Sequence, residues 1–262
     1  MTLSIRRCFA LACLVAGVAC TQPSQDVQAM KEVHDASEAA RARASAQLAA
    51  GETVDVTAEA ARLRKSVDDA VAGASGNQAA LLRATSKILG AMQDAAVQHH
   101  QVLQAYLDAG GIDPEGMTSS ADVAARRRSL EDFCASNEEL QLSLAGMPEE
   151  YGRLARAEGA TEASAAAATE GFLVGFPHES LLRMRKLDAG FCASARAQLD
   201  ILAAQAGRWQ VDATHGLVFD ETVSEAVVTT YNAATEEITR IGAEQETLQR
   251  KMIALKLVSR RT

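Results

Sequence analysis

An apolar seam near the C-terminal end of the chain constrains the fold more than any other sequence feature. From about residue 221 to 258, its members recur at alternating steps of four and three residues, the spacing of one helix face. They are Val227, Tyr231, Ala234, Ile238, Ile241, Gln245, Leu248, Met252 and Leu255. The pattern predicts a helix roughly 55 Å long, in which Gln245 is the one polar residue of the seam. We expect the chain's own helices to cover this face, with a coiled-coil dimer as the alternative.

Prolines divide the remainder of the chain into further helices. The sequence has four prolines, and because proline is disfavoured inside helices, each is expected to mark a break. Pro148 is one such predicted break, the apolar segment GFLVGFP at 171–177 is predicted to be a linker, and Asn77 is expected to cap a helix. The predicted helices are approximately 26–50, 57 to the GASGN segment at 73–77, 78–109, 119 or 120 to 147, a segment after Pro148, and 178–207.

The periodicity changes between residues 209 and 220. The segment WQVDATHGLVFD has two β-prone arms around a turn that contains glycine, which predicts a small β-hairpin near 209–219. Aromatic residues make up only 4% of the chain, and this composition favours helix over sheet elsewhere. We therefore expect an all-α protein, an elongated multi-helix bundle with a long C-terminal helix and this hairpin. The bundle is expected to be a single domain over residues 26–262.

The first 19 residues have the layout of a secretory signal peptide. A positively charged start precedes an apolar run that is shorter than the roughly 20 residues needed to span a bilayer. The segment that ends at Cys20 resembles the bacterial lipobox, in which this cysteine is lipidated and becomes the new N-terminus. We therefore expect residues 1–19 to be removed, Cys20 to carry lipid, and residues 20–25 to form a tether. Ordinary cleavage after Ala19, which would release a soluble periplasmic protein, is the alternative.

The cysteine count predicts one disulfide. Of the five cysteines, Cys8 and Cys13 lie in the leader and Cys20 is the lipidation candidate, which leaves Cys134 and Cys192. Both stand in the same tetrapeptide, Phe-Cys-Ala-Ser, near the middle of their predicted helices. Two such thiols are expected to pair in an oxidising compartment, and closing a loop of this length would stabilise the fold by about 4 kcal/mol. Two buried reduced thiols that pack as small apolar groups are the alternative.

No other group of residues assembles a recognisable chemical site. His99 and His100 are adjacent on one predicted helix, so their side chains point in different directions, and we expect His99 to be partly buried and His100 to be exposed. The sequence contains no P-loop, no G-x-S-x-G elbow and no HExxH motif. The run from Arg126 to Arg128 is typical of a solvated helix surface. The sequence therefore predicts no catalytic residue, no metal site and no cofactor.

Charge excludes one class of partner. The whole chain has a formal charge of −8, and removal of a leader that contains Arg6 and Arg7 makes the remainder more acidic. Affinity for nucleic acid comes from cationic side chains that neutralise phosphates. We therefore expect no nucleic-acid partner.

The C-terminal third resembles a group of proteobacterial proteins. Segments 207–211 (GRWQV), 215–219 (HGLVF) and 230–232 (TYN), together with the lipobox, are similar to those of uncharacterised helical lipoproteins. The resemblance implies a helical fold and an address in the bacterial cell envelope, and it supplies no catalytic residue. By the same resemblance, Thr21 after the lipidated cysteine implies the outer membrane rather than the inner membrane.

These features together predict a non-catalytic lipoprotein that is anchored to the outer membrane and faces the periplasm. Its expected partners are the membrane, through the N-terminal lipid, and an envelope protein. The alternative is a periplasmic immunity protein, because an acidic tethered protein could capture a basic secreted antibacterial toxin by complementary charge. For the location, a soluble periplasmic protein and an inner-membrane tether are the alternatives.

Overall fold

The computed structural model of the chain describes residues 56–175, 178–212 and 216–258, together with individual residues between 31 and 50. Its helices are α1 (Val56–Gly73), α2 (Gly76–Asp108), α3 (Ser120–Ala157), α4 (Glu162–Gly175), α5 (His178–Ala204) and α6 (Glu225–Val258). Its strands are β1 (Trp209–Asp212) and β2 (Gly216–Phe219). Residues described between 31 and 47 are helical as well.

The all-α prediction is confirmed, and so is the hairpin. β1 and β2 are antiparallel, with Trp209 opposite Phe219, while residues 213–215 of the predicted turn lie outside the described residues. Trp209, Leu217 and Phe219 pack against the neighbouring core. The indole N–H of Trp209 also donates to the carbonyl oxygen of Leu202 at 2.9 Å. These contacts dock the hairpin on the end of α5, ahead of the long helix α6.

The chain divides into two compact units that share helices. The first unit comprises the described residues up to Val97, those within Leu142–Leu182 and those from Gln249 onward, and the second comprises Gln98–Gln141 and Arg183–Leu248. The boundaries fall inside α2, α3, α5 and α6, so each of these helices contributes one part to each unit. The single domain expected over 26–262 stays a prediction.

Large side chains form the core of the second unit. Its buried members include Tyr106, Met117, Leu130, Phe133, Leu199, Leu202 and Ile238. The N-terminus of α3 is fixed by a capping box, in which Ser119 Oγ accepts the Asp122 amide at 3.3 Å and Asp122 Oδ2 accepts the Ser119 amide at 2.8 Å. This reciprocal pair satisfies amides that have no partner within the helix, and it confirms the predicted start at residue 119 or 120.

The core of the first unit contains alanine and valine as well as larger apolar side chains such as Leu63, Met147 and Tyr151. Its buried apolar members include Val33, Val67, Ala70, Leu82, Ala165 and Ala168. One polar contact of this unit lies at the end of α3, where Arg83 of α2 donates to a carboxylate oxygen of Glu158 at 2.7 Å and to the carbonyl oxygen of the same residue at 3.0 Å. The guanidinium of Arg83 therefore satisfies a carbonyl just after the end of α3.

The predicted break at Pro148 is wrong, because α3 continues through this residue to Ala157. Proline has no amide hydrogen, so the carbonyl of Leu144, four residues earlier, loses its partner within the helix. His178 supplies a replacement, since its Nε2 lies 2.7 Å from the carbonyl oxygen of Leu144. A carbonyl oxygen only accepts hydrogen bonds, so Nε2 carries the proton. The imidazole at the start of α5 thus satisfies the group that Pro148 leaves unpaired.

Two further predictions in this region are also wrong. Residues 171–175 of the segment predicted as a linker are helical and belong to α4, while residues 176 and 177 lie outside the described residues. Asn77 lies inside α2 rather than capping it, and its Oδ1 accepts the amide of Thr161, immediately before α4, at 2.9 Å. The chain leaves α3 at Gly159, whose φ of +98° is a conformation that favours glycine.

Candidate functional site

A disulfide joins Cys134 of α3 to Cys192 of α5, the pair that the sequence predicted. Their Cα atoms are 5.9 Å apart, within the roughly 4.4–6.8 Å that a disulfide requires. Both residues are buried in the core of the second unit. The bond spans a sequence separation of 58 residues, and it holds α3 and α5 together near their midpoints.

Three aromatic rings pack together in the core that contains the disulfide. Phe133 and Phe191, each directly before a cysteine, meet edge to face with centroids 6.0 Å apart. Tyr106 of α2 stacks on Phe133 at 5.5 Å and meets the ring of Phe191 at 6.2 Å. The buried hydroxyl of Tyr106 forms no hydrogen bond with any described residue, and burial raises the pKa of this phenol. The phenylalanines of the two Phe-Cys-Ala-Ser segments therefore contact each other, and both contact Tyr106 of α2.

Polar side chains from four helices also meet inside the second unit. We call this group the polar layer, and its members are His99 of α2, Ser136 and Asn137 of α3, Arg185 and Asp188 of α5, and Gln245 of α6. His99 lies at its centre, with Nδ1 at 3.1 Å from Ser136 Oγ and Nε2 at 2.7 Å from Arg185 Nη1. The imidazole thus connects α3 to α5 from a position on α2.

The remaining contacts of the polar layer extend from Arg185. Its Nη2 lies 3.0 Å from Asp188 Oδ2, and Gln245 Nε2 donates to the other oxygen of that carboxylate at 2.6 Å. Asn137 Nδ2 donates to the backbone carbonyl of Arg185 at 3.0 Å. Each of the four helices is therefore tied to another by at least one polar contact.

The contacts of His99 fix its protonation state. A guanidinium has donors only, so His99 Nε2 must accept from Arg185, and the proton of the neutral ring lies on Nδ1, which donates to Ser136. Only 2% of His99 is exposed. Burial first, then the charge of Arg185 and that of His100, lower the pKa of His99 from 6.5 to about 3. The imidazole is therefore neutral at physiological pH.

Arg185 and Asp188 form an ion pair that is largely removed from solvent. Their side chains are only 12% and 13% exposed. Burial raises the pKa of Asp188, while Arg185 and the hydrogen bond from Gln245 act in the opposite direction. Burial likewise lowers the pKa of Arg185 against the effect of Asp188. Each charge compensates the desolvation of the other, so removal of either partner would leave an uncompensated buried charge.

This arrangement does not activate Ser136 for nucleophilic chemistry. A general base must offer a lone pair to the hydroxyl, whereas His99 Nδ1 carries a proton toward it and Nε2 is occupied by Arg185. Within the part of the chain that the structure describes, no group of three or more His, Cys, Asp or Glu residues is placed to hold a metal ion. The contacts of the polar layer connect α2, α3, α5 and α6.

Cys20, His99 and His100 were also singled out in the sequence. Cys20 lies outside the described residues, so its lipidation stays a prediction. His99 is fully buried rather than partly buried, and His100 is half-buried rather than exposed. The difference arises because Arg185 and Ser136 supply polar partners inside the core, which allow the imidazole of His99 to be desolvated completely.

The run of three arginines is divided among different contacts. Arg127 pairs with Asp200 of α5, and Arg126 is half-buried, with Nη2 at 3.3 Å from the carbonyl oxygen of Glu115. Arg128 is exposed. The prediction of a solvated surface is thus wrong for Arg126, because the loop before α3 folds back against its side chain.

Arg185 and Asp188 were missed as core residues in the sequence, although their spacing contained a signal. Leu181, Arg185, Asp188, Cys192, Ala195, Leu199 and Leu202 follow the same alternating steps of four and three residues as the seam of α6. Reading only the apolar members of α5 hides this continuity. Asn137 and Gln245, by contrast, stand out in the sequence as polar residues in otherwise apolar seams.

The chain matches no family model, no curated protein and no solved structure. In addition, none of the helices among the described residues is both long enough and apolar enough to cross a membrane.

Proposed function

We propose that this chain is a lipid-anchored, non-catalytic protein of the bacterial envelope that faces the periplasm and acts by contacting another envelope component. The observation that carries the proposal is the buried disulfide between Cys134 and Cys192. Disulfides form and persist in oxidising compartments such as the periplasm. The disulfide thus supports export, as does the layout of residues 1–19, and the position of Cys20 supports anchoring.

The anchor is tested by metabolic labelling with a fatty acid in cells that produce wild-type protein, Cys20→Ser or Cys134→Ser. Both variants lack one cysteine, so Cys134→Ser is a matched control. Only Cys20→Ser is expected to lose the label, and density fractionation of the membranes should place the labelled protein with the outer membrane. Labelling that persists in Cys20→Ser would contradict the anchor, and label in the inner-membrane fraction would contradict the outer-membrane address.

The polar layer supports a contact role rather than a catalytic role. Its donors and acceptors serve neighbouring helices, and its histidine is buried, so the layer stabilises the fold rather than presenting a reactive group to solvent. Crosslinking in intact cells, followed by purification of the wild-type protein, should recover a defined envelope protein. The Cys20→Ser variant should recover less of it, because loss of the tether lowers the effective concentration at the membrane.

A second candidate function, immunity against a secreted antibacterial toxin, is favoured by the formal charge of −8. Capture of a basic toxin by complementary charge would be fast and would weaken as salt rises. Protection of cells that express a toxin encoded by the neighbouring gene would support this function. Absence of protection, together with recovery of an envelope protein at high salt, would favour the first proposal.

A further inference from the structure

We propose that the contact between His99 and Arg185 is an acid-sensitive latch, in which protonation of the imidazole breaks the polar layer and loosens α2 from α3 and α5 in the second unit. This inference concerns the conformational response of the protein and does not depend on the proposed function. It follows from the geometry of the contacts and from the charges that face His99.

The geometry allows only one protonation state. Arg185 Nη1 lies 2.7 Å from His99 Nε2, and because Arg185 can only donate, this contact requires a lone pair on the imidazole. A protonated imidazole would direct N–H toward N–H, and the hydrogen bond would become a repulsive contact between two cations. The second ring nitrogen cannot relieve the conflict, since it already donates to Ser136.

Among the described members of the polar layer, a single carboxylate supplies the negative charge near His99. On α5, Arg185 is paired with this carboxylate, that of Asp188, so a second cation would have to share it. On α3, Ser136 and Asn137 are neutral, and the ring of Phe133 lies 5.6 Å from the imidazole.

Helices α6 and α2 add no further negative charge from the polar layer near His99. On α6, the group in the layer is the neutral amide of Gln245. On α2 itself, His100 adds positive charge when it is protonated, and it lowers the pKa of His99 further. Because His99 is 2% exposed, solvent cannot screen the new charge in place. Relief requires that the helices separate enough for water to reach the ring.

The direction and size of the effect follow from linkage. The pKa of His99 is lowered to about 3 in the folded protein, whereas an unfolded histidine titrates near 6.5. The unfolded state therefore binds more protons, so stability is complete above about pH 6.5 and is lost as the pH falls below it. Through His99 alone, the unfolding equilibrium constant should rise about 30-fold between about pH 7.5 and pH 5.

Trp209 provides a reporter for the test. It is the one tryptophan of the chain, and it packs against the core of the second unit. Urea unfolding of the purified protein is followed by its fluorescence at about pH 7.5 and pH 5, for wild type, His99→Gln and His100→Gln. The amide that His99→Gln introduces can accept from Arg185 through its oxygen but does not titrate in this range. His100→Gln controls for the loss of a neighbouring imidazole.

The wild type and His100→Gln should show the large rise in the unfolding constant at low pH, and His99→Gln should show a rise about 30-fold smaller. Equal pH dependence in wild type and His99→Gln would overturn the latch. If His99→Gln does not fold, NMR titration of the wild-type imidazoles decides the question. A His99 resonance that stays neutral down to pH 5 supports the proposal, and a midpoint near 6.5 overturns it.

Discussion

The two units of this chain place their charges differently. In the second unit, Arg185 pairs with Asp188, and the side chain of Arg185 is 12% exposed. In the first unit, the buried carboxylate of Glu59 is held by Arg43, whose side chain is 45% exposed. Glu59 also pairs with Arg62, so it keeps a counter-ion when Arg43 is removed, whereas the ion pair of Asp188 is made with Arg185. Equivalent substitutions should therefore have unequal effects in the two units.

The largest difference is expected from Arg185→Leu and Arg43→Leu. Arg185→Leu leaves Asp188 buried without its counter-ion and removes the donor to His99, so it should lower the free energy of unfolding by about 3–5 kcal/mol. Arg43→Leu should cost about 1 kcal/mol or less, because Arg62 still pairs with Glu59. Urea unfolding, followed by circular dichroism and by Trp209 fluorescence, measures both.

The double variant Arg185→Leu/Asp188→Leu separates charge from packing. Because both charges are removed together, it should recover much of the stability that Arg185→Leu loses. A double variant that is less stable than Arg185→Leu would show that the polar layer is stabilised by interactions other than charge compensation. Similar losses for Arg185→Leu and Arg43→Leu would remove the contrast between the units.

The second expected effect comes from the disulfide. Reduction, or either Cys134→Ser or Cys192→Ser, should lower the free energy of unfolding by about 4 kcal/mol, because the loop of 58 residues gains freedom in the unfolded state. Reductant should leave the stability of each variant unchanged. A thiol titration of the unreduced, denatured protein that finds both sulfurs free would contradict the bond.

A smaller effect is expected in the first unit, where Pro148 and His178 should be coupled. His178→Ala should cost about 1 kcal/mol in the wild type, because the carbonyl of Leu144 loses its donor. Pro148→Ala should stabilise the protein by about 1–2 kcal/mol, since an alanine restores the missing amide. In the Pro148→Ala background, His178→Ala should cost almost nothing. Equal costs of His178→Ala in both backgrounds, by thermal unfolding, would show that the two residues act independently.

The smallest effects are expected from two buried tyrosines, one in each unit. Thr85 donates its hydroxyl to the carbonyl of Leu81, so its oxygen accepts from the hydroxyl of Tyr151 at 3.3 Å. Tyr151→Phe should therefore destabilise the first unit by about 1 kcal/mol. The hydroxyl of Tyr106 has no partner among the described residues, so Tyr106→Phe should stabilise the second unit by up to about 1 kcal/mol. Changes of the same sign in calorimetry would contradict this comparison.

Features that depend on local periodicity were predicted from the sequence. The apolar seam that contains Gln245 predicted the long helix α6, and the change of periodicity at Trp209 predicted the β-hairpin. The two cysteines could be paired because no other thiol remained outside the leader and the lipidation site. In each case, the information lies within a short stretch of chain or in a simple count.

Polar contacts with a distant partner were not predicted. Pro148 remains within α3 because His178, far along the chain, satisfies the carbonyl of Leu144. Arg185 and Asp188 are tolerated in a core position because each neutralises the other and because His99 and Gln245 complete their contacts. The partners lie in different segments, and a reading of the apolar positions alone assigns such residues to breaks or to the surface.

The disulfide also makes residues 135–191 part of a covalent ring. The exposed turn at Gly159 lies within that ring, so a protease that cuts the backbone there would open the chain without separating its two pieces. The cleaved protein would migrate as one species until a reductant is added, and only then as two fragments. The ring therefore protects the connection between the N-terminal segment and α6 against a cut that would divide an ordinary chain.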